Sequence, residues 1–152
     1  MRDLLLPGPM KDWDKVELIP AIEDALKKLY SGYTLCIATS AEHSDTQDMA
    51  EALARLDVLD YFHFFFSSFE LNSRKPNINF FISILENTGF DDENTISIGD
   101  KYDNDIEPAK KLGLKTIFFN EKKLKGDFSE ADRIISNMNE LHQAVEEIFI
   151  TN

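Results

Sequence analysis

The chain has 152 residues, 43% hydrophobic and 29% charged, enough apolar material for one sizeable core and too much for wholesale disorder. Acidic residues outnumber basic ones 28 to 16, and the resulting net charge of −12 repels nucleic acid and anionic membrane surfaces, so neither is expected as a partner. A single cysteine, Cys36, excludes an internal disulfide framework and a cysteine-built zinc site, and its apolar run predicts a buried thiol acting as a small hydrophobe. No apolar run approaches the roughly 20 residues that span a bilayer, and Met1-Arg2-Asp3-Leu4-Leu5-Leu6-Pro7 does not read as a signal peptide, so a cytoplasmic protein is expected.

Residues 1–15 read as an irregular segment: Pro7-Gly8-Pro9 breaks any regular element, and Asp12-Trp13-Asp14 is polar around one aromatic. Residues 16–152 read as one α/β core domain. Pro20 opens a helix to about Tyr30 on the helical spacing of Ile22, Ala25, Leu26 and Leu29, and Gly32 ends it. Tyr33 to Ala38 is a short apolar strand, Asp45 to Leu56 a helix with Met49, Leu53 and Leu56 on one face, and Tyr61 to Phe66 a second strand. His63 lies within that aromatic run and is expected as a packed core or edge residue. Asn77 to Thr88 is a helix closed by Gly89, Thr95 to Ile98 a strand, and Asp105 to Leu112 a helix ended by Gly113. Lys115 to Phe119 and Ile134-Ile135 are strands, and Asn139 to Phe149 is a last helix. Short apolar strands alternating with helices predict a parallel sheet with helices on both faces.

In such sheets ligands bind beyond the carboxyl ends of the strands, where the polar residues of this chain concentrate. Asp100 and Asp105 bracket the turn after the third strand. Two carboxylates 4 Å apart repel by about 4 kcal/mol at an effective dielectric of 20, and a hard divalent cation such as Mg²⁺ would relieve that. Gly99 would let the backbone approach a ligand closely. The alternative is that Asp105 caps the following helix and that Asp100 and Asp103 are solvated turn residues. Thr39 and Ser40 follow the first strand, where hydroxyls and backbone N–H groups can hold phosphate; many strands simply end in such residues. Lys75, before Pro76, can neutralise a phosphate or a carboxylate, or be a surface lysine. His43, His63 and His142 show no metal-ligand spacing.

Together these segments resemble the haloacid dehalogenase superfamily, chiefly Mg²⁺-dependent phosphatases with a Rossmann-like core, from about Val16 to Ile135. The helix containing Ala25-Leu26-Lys27-Lys28-Leu29 resembles the one before that family's second motif, and Ile37-Ala38-Thr39-Ser40 resembles the motif itself. Arg74-Lys75-Pro76 resembles the third motif. Ser97-Ile98-Gly99-Asp100-Lys101-Tyr102-Asp103-Asn104-Asp105-Ile106, continuing to Gly113, resembles the fourth closely, and Ala131-Asp132 with Ile134-Ile135 resembles the C-terminal segment. The resemblance implies that Thr39 and Ser40 bind phosphate, that Lys75 also does so, that Asp100 and Asp105 serve Mg²⁺, and that Thr39, Lys75 and Asp100 take direct parts in catalysis. It implies phosphomonoester hydrolysis through an aspartyl-phosphate, with a small phosphorylated metabolite as substrate.

The family's first motif, a strand ending in Asp-x-Asp-x-Thr, has no good counterpart. Asp12-Trp13-Asp14 has the acid spacing, but Pro7-Gly8-Pro9 precedes it and Lys15-Val16 follows. The nucleophile strand is therefore expected to be missing, through a misplaced gene start, a fragment, or real loss. Turnover should then fall by orders of magnitude, and Mg²⁺ should be weakly bound. The rival expectation is a non-catalytic binding or interaction module on the same fold. A missing central strand would leave a gap in the sheet, to be filled by residues 1–10, a neighbouring chain or a homodimer contact.

Overall fold

The computed structural model describes residues 18–40 and 45–150; the readings made for residues 1–15 and for His43 lie outside them. Contacts divide the chain into two compact units, Met1–Arg74 and Lys75–Asn152. Both are α/β with parallel strands, and six helices and five strands lie among the described residues.

In the first unit, α1 spans Ile22–Tyr30, with Glu23 and Asp24 in its first turn and Lys27 and Lys28 in its last, each sign favourable to the helix dipole. It buries Ala25, Leu26 and Leu29. Strand β1 (Cys36–Thr39) pairs in parallel with β2 (Phe64–Ser67), Cys36 opposite Phe64 and Thr39 opposite Ser67. Helix α2 (Thr46–Arg55) starts from a capping box between Asp45 and Asp48. Successive strand residues face opposite ways, so Ile37 and Phe65 pack on the cluster of Leu26, Met49, Leu53 and Val58. Phe64 and Phe66 stack on the other face, their centroids 6.2 Å apart.

Two expectations fail here. Cys36 is exposed rather than buried, because alternation puts it on the face opposite Ile37 and away from that cluster. His63 precedes the strand instead of lying in it, since Leu59–Tyr61 form a 3₁₀ turn that delays β2. It is exposed, its Nδ1 accepts the Leu35 N–H at 3.0 Å, and its ring stacks on Tyr30.

A single helical turn not anticipated from sequence, α3 (Ser68–Leu71), follows β2 and ends at Asn72 in the left-handed region. In the second unit α4 (Ile78–Thr88) is capped by the Asn77 side chain and closed by Gly89 at φ 75°. Strands β3 (Ile96–Gly99), β4 (Lys115–Phe119) and β5 (Arg133–Ile135) form a parallel sheet in that order. Central β4 buries Thr116, Ile117, Phe118 and Phe119. Helix α5 (Glu107–Leu112) packs on β4 and on α4, and α6 (Leu141–Ile150) packs on β5. The chain's strands therefore stand in two sheets among the described residues, one per unit, rather than in one.

Candidate functional site

Strand β3 ends at Gly99, and the chain then turns sharply. Asn104 and Asp105 both return their N–H groups to the Lys101 carbonyl, at 3.1 and 2.8 Å. Residues Tyr102–Ile106 form a π-helical turn in which the Glu107 N–H reaches the Tyr102 carbonyl. Such wide turns are frequent at functional sites. Here the turn carries Asp105 inward, where it is buried.

Both Asp105 oxygens are engaged. Oδ1 accepts the Lys75 ammonium at 2.6 Å, and Oδ2 accepts the Lys101 N–H at 3.2 Å. The Asp105 carbonyl accepts the Ser97 hydroxyl at 2.8 Å, tying the turn back to β3. Asp105 is not the helix cap: the N-cap of α5 is Ile106, which makes no side-chain capping bond. Gly99 serves this carboxylate more than a ligand, because a Cβ at that position would overlap the Asp105 side chain. Lys75 also lies over the Phe80 ring, 5.9 Å from its centroid.

Asp100 is exposed at the mouth of the same turn, as is Asp103. Thr39 is the buried last residue of β1 and Ser40 the half-buried residue after it. Thr39 and Ser40 belong to the first unit, whereas Lys75, Asp100 and Asp105 belong to the second, where Lys75 and Asp105 are in direct contact. No group of three His, Cys, Asp or Glu side chains stands together as a metal cage among the described residues.

Two residues quoted in the motifs but given no role there brace this unit, Tyr102 at the turn and Asp132 between β4 and α5. The Tyr102 ring packs against Phe118 and Phe128, at 5.3 and 5.0 Å between centroids, and its hydroxyl accepts the Glu130 N–H at 2.9 Å. Asp132 accepts the Thr116 N–H at 2.8 Å and the Lys110 ammonium at 2.7 Å. Burial raises the Asp132 carboxyl, but the Lys110 and Thr116 hydrogen bonds outweigh it and hold the group below its ordinary value.

Residues 8–119 match the model of the haloacid dehalogenase-like hydrolases, most of the chain. The chain belongs to this family. Among its haloacid dehalogenase-like relatives, a glyceraldehyde 3-phosphate phosphatase of Methanocaldococcus jannaschii is 34% identical over 100 residues, which are 64% of this chain and 44% of the relative. This haloacid dehalogenase-like chain spans less than half the length of the curated relatives it matches. The crystal structure of a HAD phosphatase from Thermococcus onnurineus superposes with a TM-score of 0.73 at 25% identity, over 84% of this chain and 57% of that one. A Listeria monocytogenes serotype 4b structure, described as an uncharacterized protein, superposes with a TM-score of 0.83 at 19% identity, over 95% of this chain and 88% of that one, and so shares the fold.

Proposed function

We infer that this chain is a phosphatase-type member of its family that recognises the phosphoryl group of a small phosphorylated metabolite, with weak turnover of its own. The observation that carries the reading is the buried Lys75–Asp105 pair at the carboxyl end of β3. A cation fixed to 2.6 Å in a site of low dielectric is a preorganised counter-charge for a phosphoryl oxygen. Asp105 sets where that cation stands, because its own oxygens are taken by Lys75 and by Lys101 N–H.

The remaining roles follow the resemblance. In the first unit Thr39 and Ser40 are the hydroxyls assigned to phosphate oxygens, and in the second Lys75 is assigned to phosphate and Asp100 to catalysis and the metal. Asp100, exposed at the turn, is the carboxylate best suited to Mg²⁺, which takes one or two carboxylates and keeps several waters. Mg²⁺, when bound, would neutralise charge on the phosphoryl group. Asp105, the second carboxylate that the resemblance assigns to Mg²⁺, stands in the same turn with its Oδ1 on the Lys75 ammonium, and we propose that the ion is weakly held. Cytoplasmic operation is part of this proposal; among the described residues no helix is long and apolar enough to cross a membrane.

Asp-x-Asp-x-Thr does not occur in the sequence, which favours a second reading in which the site binds phosphate without breaking the ester. Hydrolysis of a generic phosphomonoester with Mg²⁺ separates the two. Slow turnover that disappears in both Asp100→Ala and Lys75→Ala supports the phosphatase; turnover indistinguishable from buffer, with phosphate still bound, supports the binding module.

A further inference from the structure

In the first unit a carboxylate outside the four motifs holds the first residue of α2. Glu70, in the single turn α3, accepts the Thr46 N–H at 2.8 Å and the Thr46 hydroxyl at 3.0 Å on Oε1. Its Oε2 accepts the Ser67 hydroxyl. Ser67 is fully buried, caps α3 by accepting the Glu70 N–H at 3.4 Å, and stands directly opposite Thr39 in the β1–β2 ladder. One side chain thus links the first residue of α2 to the strand residue paired with Thr39. Burial raises the Glu70 carboxyl, yet the hydrogen bonds from Ser67 and Thr46 outweigh this and keep it below its ordinary value.

We propose that Glu70 is a positioning residue: by bridging Thr46, the first residue of α2, to Ser67, the ladder partner of Thr39, it steadies the end of β1 and thereby the placement of the Thr39 and Ser40 hydroxyls. The consequence for phosphate rests on the role proposed above for those hydroxyls; the bridge itself does not. A hydroxyl aimed at an anion loses affinity when its backbone is free to move, because the ordering must then be supplied on binding. Three donors on one carboxylate make the bridge charge-assisted, so a neutral amide at the same length should restore it only in part.

The full chain, labelled with ¹⁵N, provides the test. In Glu70→Ala the Thr46 amide is expected to exchange about tenfold faster, the scale of one lost hydrogen bond to a charged acceptor, and the Ser40 amide resonance to move. Glu70→Gln should fall between wild type and Glu70→Ala. Titration with inorganic phosphate should shift the Ser40 amide in the wild type, with an affinity several-fold weaker in Glu70→Ala. Ser67→Ala should weaken it comparably alone and add little to Glu70→Ala, which a merely helix-stabilising glutamate would not produce. Unchanged Thr46 exchange, an unmoved Ser40 resonance, or equal phosphate affinity in wild type and Glu70→Ala overturns the proposal. If phosphate shifts nothing in the wild type, the phosphate reading of Thr39 and Ser40 fails, and the bridge is decided by Thr46 exchange and the Ser40 resonance.

Discussion

Replacing Asp105 by Asn tests the logic of the site most sharply. The side chains of Lys75 and Asp105 are only 16% and 8% exposed, so little water compensates either charge. Asn keeps the shape and an acceptor for the Lys101 N–H but removes the negative charge, stranding the ammonium. Breaking a buried pair from one side costs about 3–5 kcal/mol. Because Lys75 retains some contact with water, the lower end, about 3 kcal/mol, is expected. At about 2–4 °C per kcal/mol for a chain of this size, Tm should fall by roughly 6–12 °C. Adding Lys75→Met to Asp105→Asn removes the stranded charge and should recover most of the loss, giving a coupling of about 2 kcal/mol in a double-mutant cycle. Thermal melts of the four proteins, followed by circular dichroism, measure it. A single-variant cost below about 1 kcal/mol, or two additive costs, would refute the claim that Asp105 exists to hold Lys75.

Three further outcomes follow from the same turn. Gly99→Ala drives a methyl group into the Asp105 carboxylate and should cost about 1–3 kcal/mol by urea denaturation, the scale of an overpacked interior; an unshifted midpoint would mean that the turn relaxes freely. Tyr102→Phe keeps the ring against Phe118 and Phe128 but removes the acceptor for Glu130 N–H; a loss of about 0.5–1.5 kcal/mol is expected, with faster exchange at the Glu130 amide. Asp132 has a folded-state carboxyl held below its ordinary value of 3.8, so its contribution is present above that value and is lost as pH falls through the lower folded one. Stability should therefore decline below about pH 4, and Asp132→Asn should flatten that acid limb; an unchanged limb removes Asp132 as its cause.

Helices and strands were legible where one local signal dominated. Asn77 and Gly89 mark both ends of α4, and Lys115–Phe119 is a strand over the bounds its apolar run predicts. The signal was weaker where periodicity and turn chemistry competed. Tyr61 to Phe66 reads as one aromatic strand, yet Tyr61 closes a 3₁₀ turn and β2 starts only at Phe64, and the alternation of β1 that exposes Cys36 cannot be phased from a four-residue run. Of the expected site, the contact between Lys75 and Asp105 spans 30 residues of sequence, and although each residue was singled out, nothing in the sequence paired them. The π-helical turn was hidden because no residue type marks it; Asp105 looked equally suited to capping the helix that begins two residues later. Glu70 was accessible in principle, since Ser67-Ser68-Phe69-Glu70 has capping-box spacing. What no sequence rule shows is that its carboxylate reaches Thr46 as well as the Ser67 cap of its own helix.

The most direct measurement of the phosphoryl site is calorimetric binding of inorganic phosphate to the full chain, with and without Mg²⁺, in wild type, Lys75→Ala and Asp100→Ala. The account predicts binding that Mg²⁺ strengthens in the wild type, a loss of about tenfold or more in affinity without the Lys75 cation, and no Mg²⁺ enhancement in Asp100→Ala. Phosphate affinity that is the same in Lys75→Ala as in the wild type, or no binding to the wild type at all, would contradict it.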